Sequence, residues 1–149
     1  MISRSRTRLN KEIKILRAQH PEFEIETDPD VDVMKWYIHF YCPTGTIYAG
    51  ERYTLTFIFE DTYPFEGPEV LFVGKPPVHE HIYTNGYICL STLYEWTPNL
   101  NVGVLVLSII SMMSSASAKS LPKNNDELTT EYASIRPKAI DWEFEDTRC

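Results

Sequence analysis

A chain of 149 residues has the length of one domain, enough to bury about two-thirds of the surface its unfolded form exposes. Its 43% hydrophobic and 23% charged content match ordinary globular usage, which excludes a disordered or membrane class for the whole. A net charge of −7 excludes a general nucleic-acid binder, because phosphate contacts need clustered Lys and Arg.

The first stretch is nevertheless basic: Arg4, Arg6, Arg8, Lys11, Lys14 and Arg17 surround a single acid, Glu12. Leu9, Ile13 and Leu16 recur at i, i+4 and i+7 among them, predicting an amphipathic helix that Pro21 ends. No apolar segment follows the basic start, so no secretory signal is expected. Trp36, Ile38 and Phe40 then alternate with Tyr37, His39 and Tyr41, and Tyr53, Leu55, Phe57 and Phe59 alternate with Thr54, Thr56 and Ile58. These patterns predict two strands of a half-buried sheet. Pro43-Thr44-Gly45-Thr46 between them predicts a tight reversal and an antiparallel hairpin. A third strand is expected at Val70–Val73, after the turn-rich segment 63–68.

From Lys75 to Asn101 periodicity disappears, as expected of a functional loop. Val102, Val106, Ile109, Ile110 and Met113 mark a helix whose remaining positions are also largely apolar, predicting a buried central helix. The run 102–113 is too short to span a membrane. A weaker helical pattern covers Glu127–Ile135, stopped by Pro137. We expect one domain over 1–149, with 137–149 as a candidate flexible tail, in a cytoplasmic or nuclear setting. The three cysteines, Cys42, Cys89 and Cys149, are an odd set far apart, which suits reduced thiols better than a disulfide framework.

Cys89 follows Asn85-Gly86 and sits between Ile88 and Leu90. The residues alone leave three readings open. It is a small buried hydrophobe, a nucleophile helped by nearby imidazole or backbone dipoles, or a metal ligand with His79 and His81. The last lacks a recognisable zinc spacing and a fourth ligand.

The ordered set Tyr63-Pro64-Phe65, Pro68, a His-containing triplet, Asn85-Gly86, Ile88-Cys89-Leu90 and Trp96-Thr97-Pro98 resembles the core of the ubiquitin-conjugating family. The likeness covers nearly the whole chain, with Leu9-Asn10-Lys11-Glu12, Gly45-Thr46, Tyr48-Ala49-Gly50 and segment 107–112 also in place. It implies an α+β fold: an amino-terminal helix, a four-stranded antiparallel meander whose first strand is Glu22–Thr27, an active-site loop, a central helix and a short carboxy-terminal helical region. It implies that Cys89 accepts ubiquitin from an activating enzyme as a thioester and passes it to an amine on a protein substrate, with no cofactor; no metal, nucleic-acid or membrane partner is expected, on the spacing, charge and run length given above. The chemical task is orientation of thioester against amine and support of a tetrahedral oxyanion. By the same resemblance, His79 and Asn85 support the active-site loop. Phe65, Thr97, Pro98 and Arg8 contact a RING-type ubiquitin ligase, and the basic face of the first helix meets the activating enzyme.

The chain departs from the family in places that bear on its acceptor. The usual His-Pro-Asn triplet falls on His79-Glu80-His81, so an imidazole replaces the amide implicated in isopeptide formation. An imidazole can donate a hydrogen bond and can also take a proton near neutral pH; bracing of the loop is the bland alternative. A His at this position, with Tyr83-Thr84-Asn85-Gly86-Tyr87-Ile88-Cys89-Leu90, is similar to the W-type branch, which attaches ubiquitin to α-amino groups, although Glu80 stands where that branch has Pro. The loop 114–122 also lacks the acid that lysine-directed relatives place beside the incoming amine. Trp96 falls seven residues after Cys89, one fewer than the family spacing. Two other classes compete: a silent member that only presents ubiquitin or a ligase, which retention of Cys89 disfavours, and an unrelated Cys-His hydrolase.

Overall fold

The computed structural model describes residues 3–28, 32–131, 135–140 and 142. Helix α1, Arg4–Gln19, starts where the Ser3 hydroxyl accepts a hydrogen bond from the Arg6 N–H at 3.2 Å, satisfying a donor that the first turn leaves orphaned. It closes at His20, the residue before Pro21, where helical backbone is disfavoured. Leu9, Ile13 and Leu16 are buried as their spacing predicts, each worth about 1.5–3 kcal/mol.

Strands β1 (Glu24–Asp28), β2 (Asp32–Tyr41), β3 (Arg52–Ile58) and β4 (Glu69–Val73) form one antiparallel sheet in the order β1-β2-β3-β4. Period-2 alternation decides which face is wet. Trp36, Ile38 and Phe40 are at most 1% exposed, whereas Tyr37 and His39 are half-buried and Tyr41 lies on the surface. Register pairs Trp36 with Phe57, Ile38 with Leu55, and Leu55 in turn with Phe72, so apolar side chains stack across three strands on the face that α1 and α3 cover.

The connection between β2 and β3 is longer than the tight reversal predicted at 43–46. It runs from Cys42 to Glu51, closed by Cys42 N–H to Glu51 O at 2.8 Å and Gly50 N–H to Cys42 O at 3.3 Å. The reason is Tyr48, fully buried within the connection, which needs the extra residues to reach the core. The segment 75–101, aperiodic in sequence, contains isolated antiparallel bridges joining His79 to Ile82 and Ile82 to Ile88. It also contains a four-residue helix, α2, Ser91–Tyr94, which occupies the shortened stretch before Trp96.

Helix α3, Val102–Ser114, is capped by the Asn101 side chain, which accepts from the Val104 N–H at 2.9 Å. It is not buried all round. Val102, Leu105, Val106, Ile109 and Met113 face the core, but Val104 and Leu107 are 38% and 43% exposed. The all-apolar composition therefore overstates its burial. Helix α4 covers Asn125–Glu131, starting two residues before its predicted onset, and a 3₁₀ turn covers Pro137–Ala139. Residues 132–134 of the predicted helix, and most of the expected tail with Phe144 and Cys149, lie outside the described residues. Among the described residues no helix is long and apolar enough to cross a membrane.

Glu12 ties these parts together. Its carboxylate accepts from the Tyr63 hydroxyl, from Arg8 Nε at 2.9 Å and from the backbone N–H of Val102 at 3.0 Å. It thus joins α1, the turn after β3 and the first residue of α3, where negative charge is favoured by the helix dipole. Burial first, then the bond to Glu12, pushes the Tyr63 phenol far above its ordinary range.

Candidate active site

The loop around Cys89 is built on Gly86, which has φ +92. Its carbonyl accepts from the Phe72 N–H of β4 at 2.9 Å, while its own N–H donates to Tyr83 O at 2.9 Å. A Cβ here would lie 2.2 Å from the Phe72 carbonyl oxygen, so only glycine allows the turn to lie against the sheet. Asn85 completes the turn, its side-chain oxygen accepting from the Tyr87 N–H at 3.1 Å.

The turn delivers Ile88 to the core and Cys89 to the next position. Cys89 is 4% exposed and shares a small cluster with Tyr83 and Leu128, against which Tyr87 and Trp142 pack. Its N–H donates to the His81 carbonyl at 2.9 Å, which binds the cysteine backbone to the triplet 79–81. The sulfur is disulfide-bonded in this structure, a difference from the expectation of reduced thiols; thioester chemistry needs the reduced form. Cys42, by contrast, is a free buried thiol, and burial pushes its pKa up to about 11. A thiol so rarely ionised is a poor nucleophile.

His79 is 2% exposed, and both ring nitrogens are committed. Nδ1 accepts from the His81 N–H at 2.9 Å, so Nε2 carries the proton and donates to Met112 O on α3 at 3.3 Å. Burial, then the neighbouring His81, holds its pKa below the usual imidazole value. His79 is a neutral brace. His81 differs: its Nε2 lies 3.7 Å from Glu80 Oε1, and its Nδ1 is buried with no hydrogen-bond partner. Among the described residues, no group of three His, Cys, Asp or Glu side chains is placed to hold a metal ion.

Aromatic and amide side chains without any periodic signature hold this loop. The Tyr83 hydroxyl donates to Asn124 Oδ1 at 2.9 Å, Thr84 N–H donates to Asn125 Oδ1 at 3.0 Å, and the Tyr94 hydroxyl donates to Ile88 O at 2.8 Å. Trp142 stacks on Tyr94, centroids 5.2 Å apart, and tilts against Tyr83 at 5.8 Å. Beside it lies a cleft of about 290 Å³ lined by Gly67, Leu93, Tyr94, Trp96, Lys138, Ile140 and Trp142. Sequence reasoning named Trp96 in the family pattern and Trp142 in a tail able to fold over the site, but missed the bonds made by Tyr83, Tyr94, Asn124 and Asn125; the density of tyrosine in 83–94 and the pair Asn124-Asn125 were the signals that could have found them. On another side, Tyr48 donates to Val78 O and lies against His79. Lys119, from the loop after α3, stands over the Tyr48 ring and pairs with Glu51 at 2.8 Å. The loop expected to lack an acid therefore presents an ammonium group.

The remaining predicted contact residues gather elsewhere. Phe65 is 74% exposed, and Thr97 and Pro98 are on the surface. Trp96 Nε1 donates to Pro64 O at 2.7 Å, tying the two segments together. Arg8 is used internally: besides Glu12, its guanidinium donates to Pro98 O at 3.2 Å and Leu100 O at 2.8 Å.

A helix, a four-stranded meander and a cysteine-bearing loop braced against a central helix define a conjugating-type α+β domain. The family profile described as ubiquitin-conjugating enzyme matches residues 8–139. The "Probable ubiquitin-conjugating enzyme E2 W" of Dictyostelium discoideum is 41% identical over 147 residues, covering 98% of each chain. The "Ubiquitin-conjugating enzyme E2 W" of Caenorhabditis elegans is 43% identical, covering 93% of each. The crystal structure of ubiquitin conjugating enzyme E2 UbcA1 from Agrocybe aegerita superimposes with a TM-score of 0.83 at 34% identity, covering 92% of this chain and 100% of that one. The chain belongs to the ubiquitin-conjugating enzyme family, and is a transferase whose general partners are ubiquitin, an activating enzyme and a ligase.

Proposed function

We propose that Cys89 carries ubiquitin as a thioester and that His81 supports its transfer to the α-amino groups of protein N-termini, together with a RING-type ligase. The observation that carries this reading is the His81 imidazole, joined to the Cys89 backbone through the Cys89 N–H to His81 O bond, with a buried and unpartnered Nδ1. A buried polar nitrogen left without a partner costs about 1–3 kcal/mol, a cost that rearrangement around the bound acceptor would relieve.

The acceptor choice rests on proton supply. With reference pKa values of about 7.8 for an α-amine and about 10.4 for Lys, the neutral form is about 300 times more abundant for the α-amine at pH 7.4. That factor falls within the roughly 10²–10⁴ that a positioned base contributes. A loop that offers Lys119 and no carboxylate suits an acceptor of which about a quarter is already deprotonated. Phe65, Thr97 and Pro98 form the exposed ligase-facing set, and Arg8 shapes the backbone that carries Pro98.

The test is single-turnover discharge of the charged enzyme. A lysine-free peptide with a free α-amine is expected to discharge it faster than an amino-terminally blocked peptide containing lysine, and Cys89→Ala is expected to form no thiol-labile adduct with activating enzyme, ubiquitin and ATP. Faster discharge to the blocked lysine peptide would overturn the acceptor assignment. An adduct that persists in Cys89→Ala would overturn the site.

A further inference from the structure

We propose that Cys89 is a reversible redox site whose partner is the last residue of the chain, Cys149: oxidation joins the two sulfurs and closes Cys89 to ubiquitin, and thiol reduction reopens it. The proposal rests on the reading of Cys89 as the thioester carrier and adds a control of that same sulfur.

The pairing follows from a count of thiols. The chain holds three cysteines. Cys89 is disulfide-bonded and Cys42 is free, so a bond within one chain leaves Cys149 as the partner. Cys42 is unsuited to the role on separate grounds. It is 6% exposed among the core side chains, and burial first, then the Glu51 carboxylate, push its pKa up to about 11, so little thiolate is present to attack a second sulfur.

The segment that leads to the chain end points the same way. Cys149 lies outside the described residues, but 135–140 and Trp142 run along the active-site loop. The hydroxyl of Tyr87, two residues before Cys89, donates to Ile135 O at 2.7 Å. Arg136 Nε donates to Glu69 Oε2 on β4 at 2.9 Å and Lys138 Nζ to Gly67 O at 2.9 Å, while Ile140 is buried. Trp142, its Nε1 donating to Pro137 O at 2.8 Å, packs on the cluster that contains Cys89. Seven residues lead from Trp142 to Cys149, a reach of at most about 25 Å. A terminal thiol on that tether can meet the Cys89 sulfur, at an effective concentration on the order of millimolar.

Hydrogen peroxide is the oxidant class that balances the reaction. The Cys89 thiolate attacks one peroxide oxygen, the O–O bond breaks, and the departing hydroxide takes up the thiol's proton to leave as water, giving a sulfenic acid on Cys89. The Cys149 thiolate then attacks that sulfur, forms the S–S bond and expels a second hydroxide, which likewise leaves as water. Two thiols and one peroxide thus give one disulfide and two waters. In that state Cys89 has no thiolate to attack the activated carboxyl of ubiquitin. It is also kept from the sulfinic acid that thiols do not reverse. Two molecules of a small thiol such as glutathione restore both cysteines by exchange through a mixed disulfide and leave as one oxidised disulfide.

The experiment uses the full chain, reduced, treated with hydrogen peroxide, and freed of peroxide before activating enzyme, ubiquitin and ATP are added. The oxidised chain is expected to lose two hydrogens in intact mass and to yield a non-reduced peptide linking Cys89 to Cys149. Its charging should fall in proportion to the linked fraction and return to the starting level after glutathione. Cys149→Ser should charge as well as the reduced wild type before peroxide. After peroxide it should gain oxygen on Cys89 and stay uncharged whatever the thiol treatment. A linked peptide containing Cys42, a dimer joined through two copies of Cys89, or a Cys149→Ser chain that loses and regains charging as the wild type does would each overturn the pairing and leave Cys89 standing as carrier. A Cys89→Ala chain that still forms the thiol-labile adduct would overturn the carrier reading, and with it the control of charging, even where the linked peptide is found in the wild type.

Discussion

Replacing Gly86 by Ala tests how the loop is built, because two separable costs meet at one atom. With φ +92 the residue lies in backbone space that an L side chain rarely enters, costing about 1–2 kcal/mol. The added Cβ would fall 2.2 Å from Phe72 O, about 1 Å inside the closest ordinary C···O approach. That oxygen belongs to the backbone of β4 and cannot turn aside as a flexible side chain can. Relief requires the turn 83–87 to lift from the strand, stretching the Phe72 N–H to Gly86 O bond of 2.9 Å. Overpacking of this kind costs about 1–3 kcal/mol.

Together the loss is about 2–5 kcal/mol, which for a domain of this length lowers the melting temperature by about 4–20 °C. Gly74 supplies the control. It also has a positive φ, +74, but a Cβ there meets nothing within 4 Å, so Gly74→Ala should show the backbone cost alone, about 1–2 kcal/mol. Urea denaturation gives both free energies, and thioester formation per folded molecule reports whether the lifted turn misplaces Cys89. Equal destabilisation by the two substitutions would refute the contact with Phe72 O, and a loss below about 0.5 kcal/mol for Gly86→Ala would refute both costs.

Acid should destabilise the fold through His79: its native pKa is depressed, so the unfolded chain binds a proton first, and stability present above about pH 6.5 falls as pH drops toward the native value. Denaturation curves from pH 7.5 to 5 should show a slope of at most about 1.4 kcal/mol per pH unit from this group, reduced in His79→Gln. Phe65→Ala removes an exposed side chain, so its melting curve should match the wild type within about 0.5 kcal/mol, while ligase-stimulated discharge falls several-fold; an unchanged stimulation would remove Phe65 from the ligase-facing set. Because Cys89 is disulfide-bonded here, pre-incubation with a thiol reductant, removed before the activating enzyme is added, should raise the charged fraction. Equal charging without reduction would show that the bond does not control the thiol.

Hydrophobic periodicity makes the frame of the fold legible in the sequence. Leu9, Ile13 and Leu16 on one helical stripe, and Trp36, Ile38 and Phe40 on one sheet face, are buried where a period of 3.6 or 2 puts them. Three features are hidden for physical reasons. Tyr48 has the look of turn composition because a ten-residue connection that buries its own aromatic has no periodic signature. The exposure of Val104 and Leu107 is invisible in an all-apolar helix, where no polar position marks the wet side. Arg8 reads as part of a basic outer face, yet its guanidinium is spent on Glu12, Pro98 O and Leu100 O, and the two carbonyls lie about ninety positions away, beyond what local pattern can anticipate.

The candidate site is legible to the extent that its residues are neighbours in sequence. His79, His81, Asn85 and Cys89 converge because the segment between them folds on itself through the bridges at Ile82 and Ile88. Sequence leaves undecided the difference between two histidines two residues apart. The structure separates them by what surrounds each nitrogen. His79 has both nitrogens filled, by the His81 N–H and by Met112 O, so it can hold the loop but has no lone pair to offer. His81 has one nitrogen 3.7 Å from the Glu80 carboxylate and the other buried without a hydrogen-bond partner. The same hydrogen bond that occupies His79 comes from the His81 backbone, and the bracing of one imidazole thereby fixes the position of the other.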